Sequence, residues 1–346
     1  MKIGYSFWGF LGPGIADTPD GGRSHRRILL DSIAAAGHDI VLLQRDRDRE
    51  EAGSSLDLGP RYAYSEDLPA LDLLWLEWRW PIPGRNTPAD RDLPGYTPDL
   101  ERQVELFAHY TEADRLPTIV WDKDMWLDED DQLRARSNVV VAEAAMFPRA
   151  GARSLLFPVG DTALDAAQRS PPSAFGSGTF DLVYIGNQYD RDAAFDLYFA
   201  PAAASLRHRV FGKWSRVENW PHVNFGGRIA FSRVADTYAD ALATVLLLPG
   251  RYATAGQMTQ RIFEAALAGC LPLLPAGVRG GERLVPAQLH VASSTDVVRL
   301  CRRMRDRNER TFLDTSVRDC LSRLDLFRMS RQMVTVEKIF EELLGA

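Results

Sequence analysis

The chain has few cysteines, no long apolar run and no excess of basic charge. Of its 346 residues three are cysteine, Cys270, Cys301 and Cys320. That odd number, with no Cys-x-x-Cys and no Cys/His spacing, excludes a disulfide framework and the common zinc sites, and reads as reduced core thiols in a cytoplasmic protein. No apolar stretch approaches the roughly 20 residues needed to cross a bilayer, so no membrane span is expected. The opening MKIGYSFWGF carries one lysine and no signal-like apolar core or cleavage site, and reads as a first strand. No segment recurs at a fixed period, which argues against solenoids and propellers. The net charge of −6 argues against a general polyanion binder, although a local basic groove is compatible with it. The loop after the first strand is too long for a GxGxxG dinucleotide fingerprint, and no acidic residue properly closes the second strand, so little points to NAD.

What is present suits a two-domain α/β protein. Hydrophobic content of 45% and charged content of 25% are ordinary for a globular chain, and the length suffices for two full cores. Residues 170–179, SPPSAFGSGT, form a Pro/Gly/Ser linker near the middle. The domains are therefore expected at 1–165 and 180–323, followed by an amphipathic helix within 324–346.

Residues 245–275, VLLLPGRYATAGQMTQRIFEAALAGCLPLLP, organise the second half. Residues 245–248 read as a strand buried on both faces, after a helix over 234–243. A loop with Gly250, Thr254, Ala255 and Gly256 follows, then a helix over 257–268 ended by Gly269, then a strand from Leu271. Gln257, Arg261 and Glu264 share the polar helix face. A solvated surface ion pair is the ordinary reading of Arg261 and Glu264. Their place just after a glycine loop at a strand end, where ligands of such sheets sit, favours a binding role.

Arg261-x-x-Glu264-Ala-x-x-x-Gly269-Cys-x-Pro-Leu-Leu resembles the nucleotide-sugar half of the GT-B glycosyltransferases, in the branch with spore-maturation-like and group 1-like domains, over residues 180–295. The resemblance implies an α/β GT-B fold: two Rossmann-like domains facing a cleft, acceptor side first and donor side second, with the terminal helix packing back on the N-domain. It implies that Glu264 accepts hydrogen bonds from the donor ribose and that the Gly256 loop lies against the diphosphate. Many retaining members carry another glutamate eight residues before the first; here that position is Gly256. Gly22, in a Gly21-Gly22-Arg23 turn entering the first helix, matches a turn that approaches phosphate or sugar.

Three strand ends in this half pair glycine with a base: Gly186 with Arg191, Gly212 with Lys213, and Gly250 with Arg251. Together they form an anion-binding set, and an arginine fork suits a diphosphate. In the first half, residues 71–80, LDLLWLEWRW, read as a strand with Leu76, Trp78 and Trp80 on one face and Glu77 and Arg79 on the other. A core strand is the plain reading. An acceptor platform built from Trp78, Trp80 and Arg79 is the functional one, able to stack on a sugar, an aromatic aglycone or an unstacked base.

The strand before Asp122-Lys123-Asp124 admits three readings: a GT-A-like metal pair, a general base of a GT-B acceptor domain, or ordinary strand-end polar residues. Asp122 and Asp124 lead as catalytic candidates, with Asp20 and His25 behind them. The expectation is a hexosyl- or pentosyltransferase moving a sugar from a nucleoside diphosphate sugar, a UDP-sugar first, to a hydroxyl. No metal and no cofactor beyond that co-substrate is invoked. The acceptor is a small metabolite or a hydroxymethylated DNA base, and the protein a monomer or homodimer. A non-catalytic nucleotide-sugar binder, a GT-A-like transferase and an epimerase of GT-B architecture are the alternatives.

Overall fold

A computed structural model describes residues 1–7, 24–44, 58, 61–93, 96–173 and 179–345. Asp20, Gly21, Gly22 and Arg23 lie outside the described residues. Two compact units divide the chain: residues 1–158 with 329–346, and residues 159–328.

The first unit is a seven-stranded parallel sheet: β1 (Lys2–Ser6), β2 (Asp39–Leu42), β3 (Ala63–Tyr64), β4 (Leu73–Glu77), β5 (Thr118–Asp122), β6 (Val139–Glu143) and β7 (Arg153–Ser154), in the order β3-β2-β1-β4-β5-β6-β7. Every residue of β4, β5 and β6 is buried, as expected of central strands covered on both faces. The strand order reverses between β1 and β4, which run side by side with Ser6 opposite Leu76. Trp75 anchors the core between Tyr5 at 5.7 Å, Trp121 at 6.3 Å and Phe340 at 6.4 Å, centroid to centroid. Phe340 belongs to the C-terminal helix Met329–Leu344, whose buried residues Met329, Gln332, Val336, Ile339 and Phe340 make one stripe. Gln332 on that stripe accepts a hydrogen bond from the Leu156 N–H at 2.9 Å.

The second unit is a five-stranded parallel sheet: β8 (Phe180–Ile185), β9 (His208–Phe211), β10 (Ala241–Val245), β11 (Leu271–Pro275) and β12 (His290–Val291), in the order β12-β11-β10-β8-β9. Its reversal lies between β10 and β8.

Several elements differ from the sequence expectations. Strand β10 occupies residues 241–245 rather than 245–248, and the helix before it stops at Ala239. Leu246, Leu247 and Leu248 are buried all the same, so their hydrophobicity reports burial and not strand. The expected loop contains a helix, Gly250–Ala255, ended by Gly256 at φ +62°, a left-handed position where glycine is the natural stop. The next helix runs Arg261–Leu267 and not from residue 257. Residues 155–159 form no sheet strand; Val159 makes a lone bridge to Arg328. Helices Asp161–Arg169 and Arg310–Arg323 were not expected, the latter because its buried stripe includes Ser316 and Cys320 among charged neighbours. Strand β4 ends at Glu77, so the alternation read through Trp80 does not hold: Glu77 and Arg79 are fully buried, and Trp78 packs on Phe107 at 6.2 Å.

Candidate nucleotide-sugar site and the acidic strand ends

β8 and β10 run side by side where the strand order reverses, and the C-terminal ends of the strands at such a point are the general ligand position in such sheets. Strand β8 delivers Gly186. Arg261, the first residue of its helix, reaches back over that glycine: Nε donates to the Ile185 carbonyl at 2.5 Å and Nη1 to the Thr259 hydroxyl at 3.1 Å. Its guanidinium lies 5.2 Å from the centre of the Tyr184 ring. A Cβ on residue 186 would stand 2.1 Å from Arg261 Nη2, so the absence of a side chain there admits the guanidinium. Burial works against the charge on Arg261, but the Tyr184 and Tyr238 phenols and Glu264 outweigh it and hold the group above the usual arginine range. Glu264 sits in the same first helical turn, half-buried.

The loop after β8 is laced to the loop after β9. The Gln188 N–H donates to the Lys213 carbonyl at 3.0 Å, the Lys213 N–H to Asn187 Oδ1 at 2.9 Å, and the Trp214 indole to the Gly186 carbonyl at 2.8 Å. Gly212, at φ +131°, lets the two backbones approach; a Cβ there would lie 2.2 Å from the Gly186 oxygen. Arg251 joins the same loop through Asp190 at 2.8 Å, and Asp190 takes a left-handed φ of +50°. Gly186, Lys213, Arg251, Arg261 and Glu264 are therefore connected through one set of loops and one helix start. Arg191 is turned inward, its Nη1 donating to the Tyr189 carbonyl at 2.6 Å. Trp214 packs among Phe195 at 4.5 Å, Phe225 and Trp220, so its ring is committed to an aromatic cluster. Sequence reasoning missed Tyr184 and Tyr238. Both hydroxyls are buried without a hydrogen-bond partner among the described residues, and Tyr238 is pushed far above the usual phenol range by burial, with Glu264 next. Tyr184 lies next to the last residue of β8, where a polar hydroxyl could have been noticed, whereas Tyr238, in the helix Val234–Ala239, carried no local signal.

In the first unit, the ends of β1, β4 and β5 assemble a buried ionic group. The Glu77 carboxylate accepts from the Tyr5 hydroxyl at 2.7 Å and from Arg26 Nε and Nη2 at 3.3 Å, and pairs with Lys123 Nζ at 2.5 Å. Burial alone would raise its pKa; Arg26 and Lys123 together outweigh that and hold it well below the usual carboxylate range. His25 is fully buried between Phe157 at 4.7 Å and Trp121 at 5.5 Å, and burial, then Lys123, keep its ring neutral. Arg79 is also fully buried, donating through Nη2 to Ser6 Oγ at 2.8 Å and the Phe7 carbonyl at 2.5 Å, while Nε and Nη1 have no hydrogen-bond partner among the described residues. Burial lowers its pKa to about 10 against the pull of Asp99 and Glu77. It is a core group, not an exposed part of a platform with Trp78.

Asp122 faces inward too. It accepts from the Leu127 N–H at 2.8 Å, the Trp126 N–H at 3.1 Å and the Asp124 N–H at 3.3 Å, and pairs with Arg149 at 2.7 Å. Both oxygens are spent on the turn that follows, so Asp122 and Asp124 do not form the open carboxylate pair a diphosphate-bound cation requires. Burial raises the Asp122 pKa against those backbone donors. Asp124 is half-buried. Trp80 stacks on Trp126, centroids 6.0 Å apart and planes at 22°; Trp126 is a partner that the sequence reading did not name.

Residues 195–313 match the family model described as glycosyl transferase-like. Among curated proteins none matches the chain by sequence. The fold is similar to that of the DNA-modifying enzyme β-glucosyltransferase, solved with and without uridine diphosphoglucose, at TM-score 0.65 and 13% identity over 99% of each chain. It is similar to T4 phage BGT in complex with its UDP-glucose substrate, at TM-score 0.63 and 13% identity over 99% of each chain. Anabaena HepE with UDP-glucose matches at TM-score 0.57 and 12% identity over 100% of each chain. The chain shares the GT-B fold of these glycosyltransferases, and its residues 195–313 carry the glycosyl transferase-like pattern.

Proposed function

We propose that this protein transfers a glycosyl group from a nucleoside diphosphate sugar, with UDP-glucose the first donor to test, to an acceptor hydroxyl. One observation supports this above the others: Arg261 and Glu264 open a helix over Gly186 at the reversal point of the second sheet. In this reading Glu264 accepts from the ribose hydroxyls. Arg261, with Arg251 and Lys213 nearby in the same loops, would meet the negative charge that grows on the departing diphosphate, which is where fixed donors lower a transfer barrier most. In this reading the residues themselves supply that charge and the nucleotide sugar is a co-substrate. If the anomeric centre inverts, a base must take the acceptor proton, and Asp124 leads because Asp122 is enclosed. Small metabolites and a hydroxymethylated DNA base are the acceptor classes in view.

Among the described residues no helix is long and apolar enough to cross a membrane. The test is incubation with radiolabelled UDP-glucose, following sugar release to water and transfer to added hydroxyls. Turnover that falls at least tenfold in Glu264→Ala supports the reading. Nucleotide binding with no release of sugar, even to water over hours, would instead indicate a non-catalytic binder.

A further inference from the structure

A cavity of about 220 Å³ opens beside the first half of β6, lined by Arg134, Arg136, residues 139–141, Gly151 and, from the C-terminal helix, Glu342. Strand β6 pairs with β5 along its whole length, but β7 pairs with Ala142 and Glu143 alone. On that side residues 139–141 therefore have no neighbouring strand among the described residues. An open sheet edge presents backbone N–H and C=O groups, and the exposed lining of the cavity is mostly polar although three valines border it. A Cβ on Gly151, which sits at φ +79°, would meet nothing within 4 Å. Val139 lies opposite Thr118, the first residue of β5. The cavity thus sits toward the strand starts, away from the strand ends that carry Glu77 and Asp122.

The hydrogen bonds of the lining do not balance. The Arg134 side chain is only 10% exposed. Its Nε donates to the Asp128 carbonyl at 2.8 Å, and its Nη2 to the Leu127 carbonyl at 3.1 Å and to Glu143 at 2.8 Å. Its Nη1 is buried with no acceptor among the described residues. That nitrogen carries two N–H groups, and an unmade hydrogen bond from a buried charged group is costlier than one from a neutral group. Arg136 gives Nη2 to Glu112 at 2.6 Å and is 33% exposed, so the rest of its fork is open. The acids nearby are already engaged. Glu342 accepts from Arg153 Nε at 2.9 Å and Nη2 at 2.8 Å, one bond to each oxygen, and Glu143 serves Arg149 as well as Arg134. The cavity is left with a surplus of donors, and it exceeds the roughly 30 Å³ share of a single water several-fold.

We propose that this cavity binds a small oxyanion, a carboxylate or phosphate of a few heavy atoms, held by Arg134 Nη1, by Arg136 and by the open edge of β6. An arginine fork meets either group through paired, charge-assisted N–H···O bonds. The proposal goes beyond the glycosyl-transfer reading and shares no residue with the nucleotide set at 186–264. The arginines of the lining already have carboxylate partners, so the hold comes from directed donors and the ligand must offer several acceptor atoms close together. Because β6 and the C-terminal helix both line the cavity, an occupant ties that helix to the sheet edge and stabilises the first unit.

The test is hydrogen–deuterium exchange of the whole chain with inorganic phosphate, succinate or uncharged succinamide at millimolar concentration, read by mass spectrometry. The expected result is slower exchange in peptides spanning 132–141 and 338–345 with phosphate, succinate or both, and none with succinamide. Which anion protects tells phosphate from carboxylate. Arg134→Lys keeps a cation beside Glu143 but loses the fork, and should weaken the anion about tenfold. Arg136→Gln, made at a partly exposed position that the fold tolerates, should weaken it too and decides the matter if Arg134→Lys does not fold. No protection of those peptides by either anion, equal protection by succinamide, or protection confined to the nucleotide loops at 186–191 and 250–264 overturns the proposal. So does an anion that binds both variants as it binds wild type. Failure of the glycosyl-transfer reading would show separately, as protein that binds no nucleotide yet still protects 132–141 with the anion.

Discussion

Arg261 Nη2 lies 2.1 Å from where a Cβ of residue 186 would stand, so the guanidinium and a side chain at Gly186 exclude each other. The same guanidinium is pinned to the last carbonyl of β8, that of Ile185. The strand that ends at the reversal point and the helix that carries Glu264 are thus tied by one arginine.

Gly186→Ala should disable the site without unfolding the protein. The colliding atoms are the far end of a flexible side chain, so the fold yields by moving Arg261 aside. Losing a charged hydrogen-bond donor to phosphate costs about 1.5–3 kcal/mol, or roughly tenfold to a hundredfold in affinity. Calorimetric titration with UDP and a thermal melt check it: weakened UDP with a Tm within a few degrees of wild type is expected, and unchanged UDP affinity contradicts the role of Arg261.

Acid should destabilise the first unit in two stages. His25 is held neutral in the fold, so below its unfolded pKa of about 6.5 the unfolded chain binds the extra proton and stability falls, by up to about 1.4 kcal/mol per pH unit. Glu77 has a depressed folded pKa, so its contribution is present above about pH 4.3 and is lost as pH falls further toward the folded value. Urea unfolding at pH 7.5, 6.5 and 5.5 should show a slope that His25→Gln flattens. An unchanged slope in that variant would refute the buried neutral imidazole.

Glu77→Gln leaves Arg26 and Lys123 facing each other with no charge between them in a buried place. Removing one partner of such a group costs about 3–5 kcal/mol. The variant should lose most at neutral pH and differ less from wild type in acid, as followed by Tm against pH. A constant difference at every pH would contradict the ionic account.

Asp122→Asn separates a brace from a base. It keeps the size of the side chain but turns one accepting oxygen of the turn into an NH2 donor, and it leaves Arg149 with Glu143 alone. The expected result is a loss of stability and a shifted tryptophan emission as Trp126 loosens, with UDP affinity intact. A kcat lowered a thousandfold with stability unchanged would return Asp122 to the role of general base.

Strand β11 was legible as an apolar run just after Gly269 and falls where the pattern put it, whereas β10 does not. Local sequence could not separate burial from strand in residues 246–248, where a leucine run leaves the sheet yet stays in the core. Arg261 and Glu264 were readable from their spacing and from the small residues behind them. Gly186 was visible as a strand-end glycine, but its reason, a guanidinium arriving from 75 residues away in sequence, was not. The same limit applies to Arg79, Asp122 and Lys123. A charged residue at a strand end is either exposed to a ligand or turned into the core, and the choice depends on partners such as Ser6, Arg149 and Glu77 that the folded chain alone brings together. Trp126 escaped notice because its partner Trp80 lies on a different strand's loop.

The most direct measurement is a thermal-shift panel of UDP, GDP, ADP and TDP, each with and without EDTA, on wild type and on Glu264→Ala. The account predicts a rise in Tm for one nucleotide that is insensitive to EDTA and absent from the variant. A rise that needs a divalent cation and survives in Glu264→Ala, or no rise with any nucleotide, would contradict it.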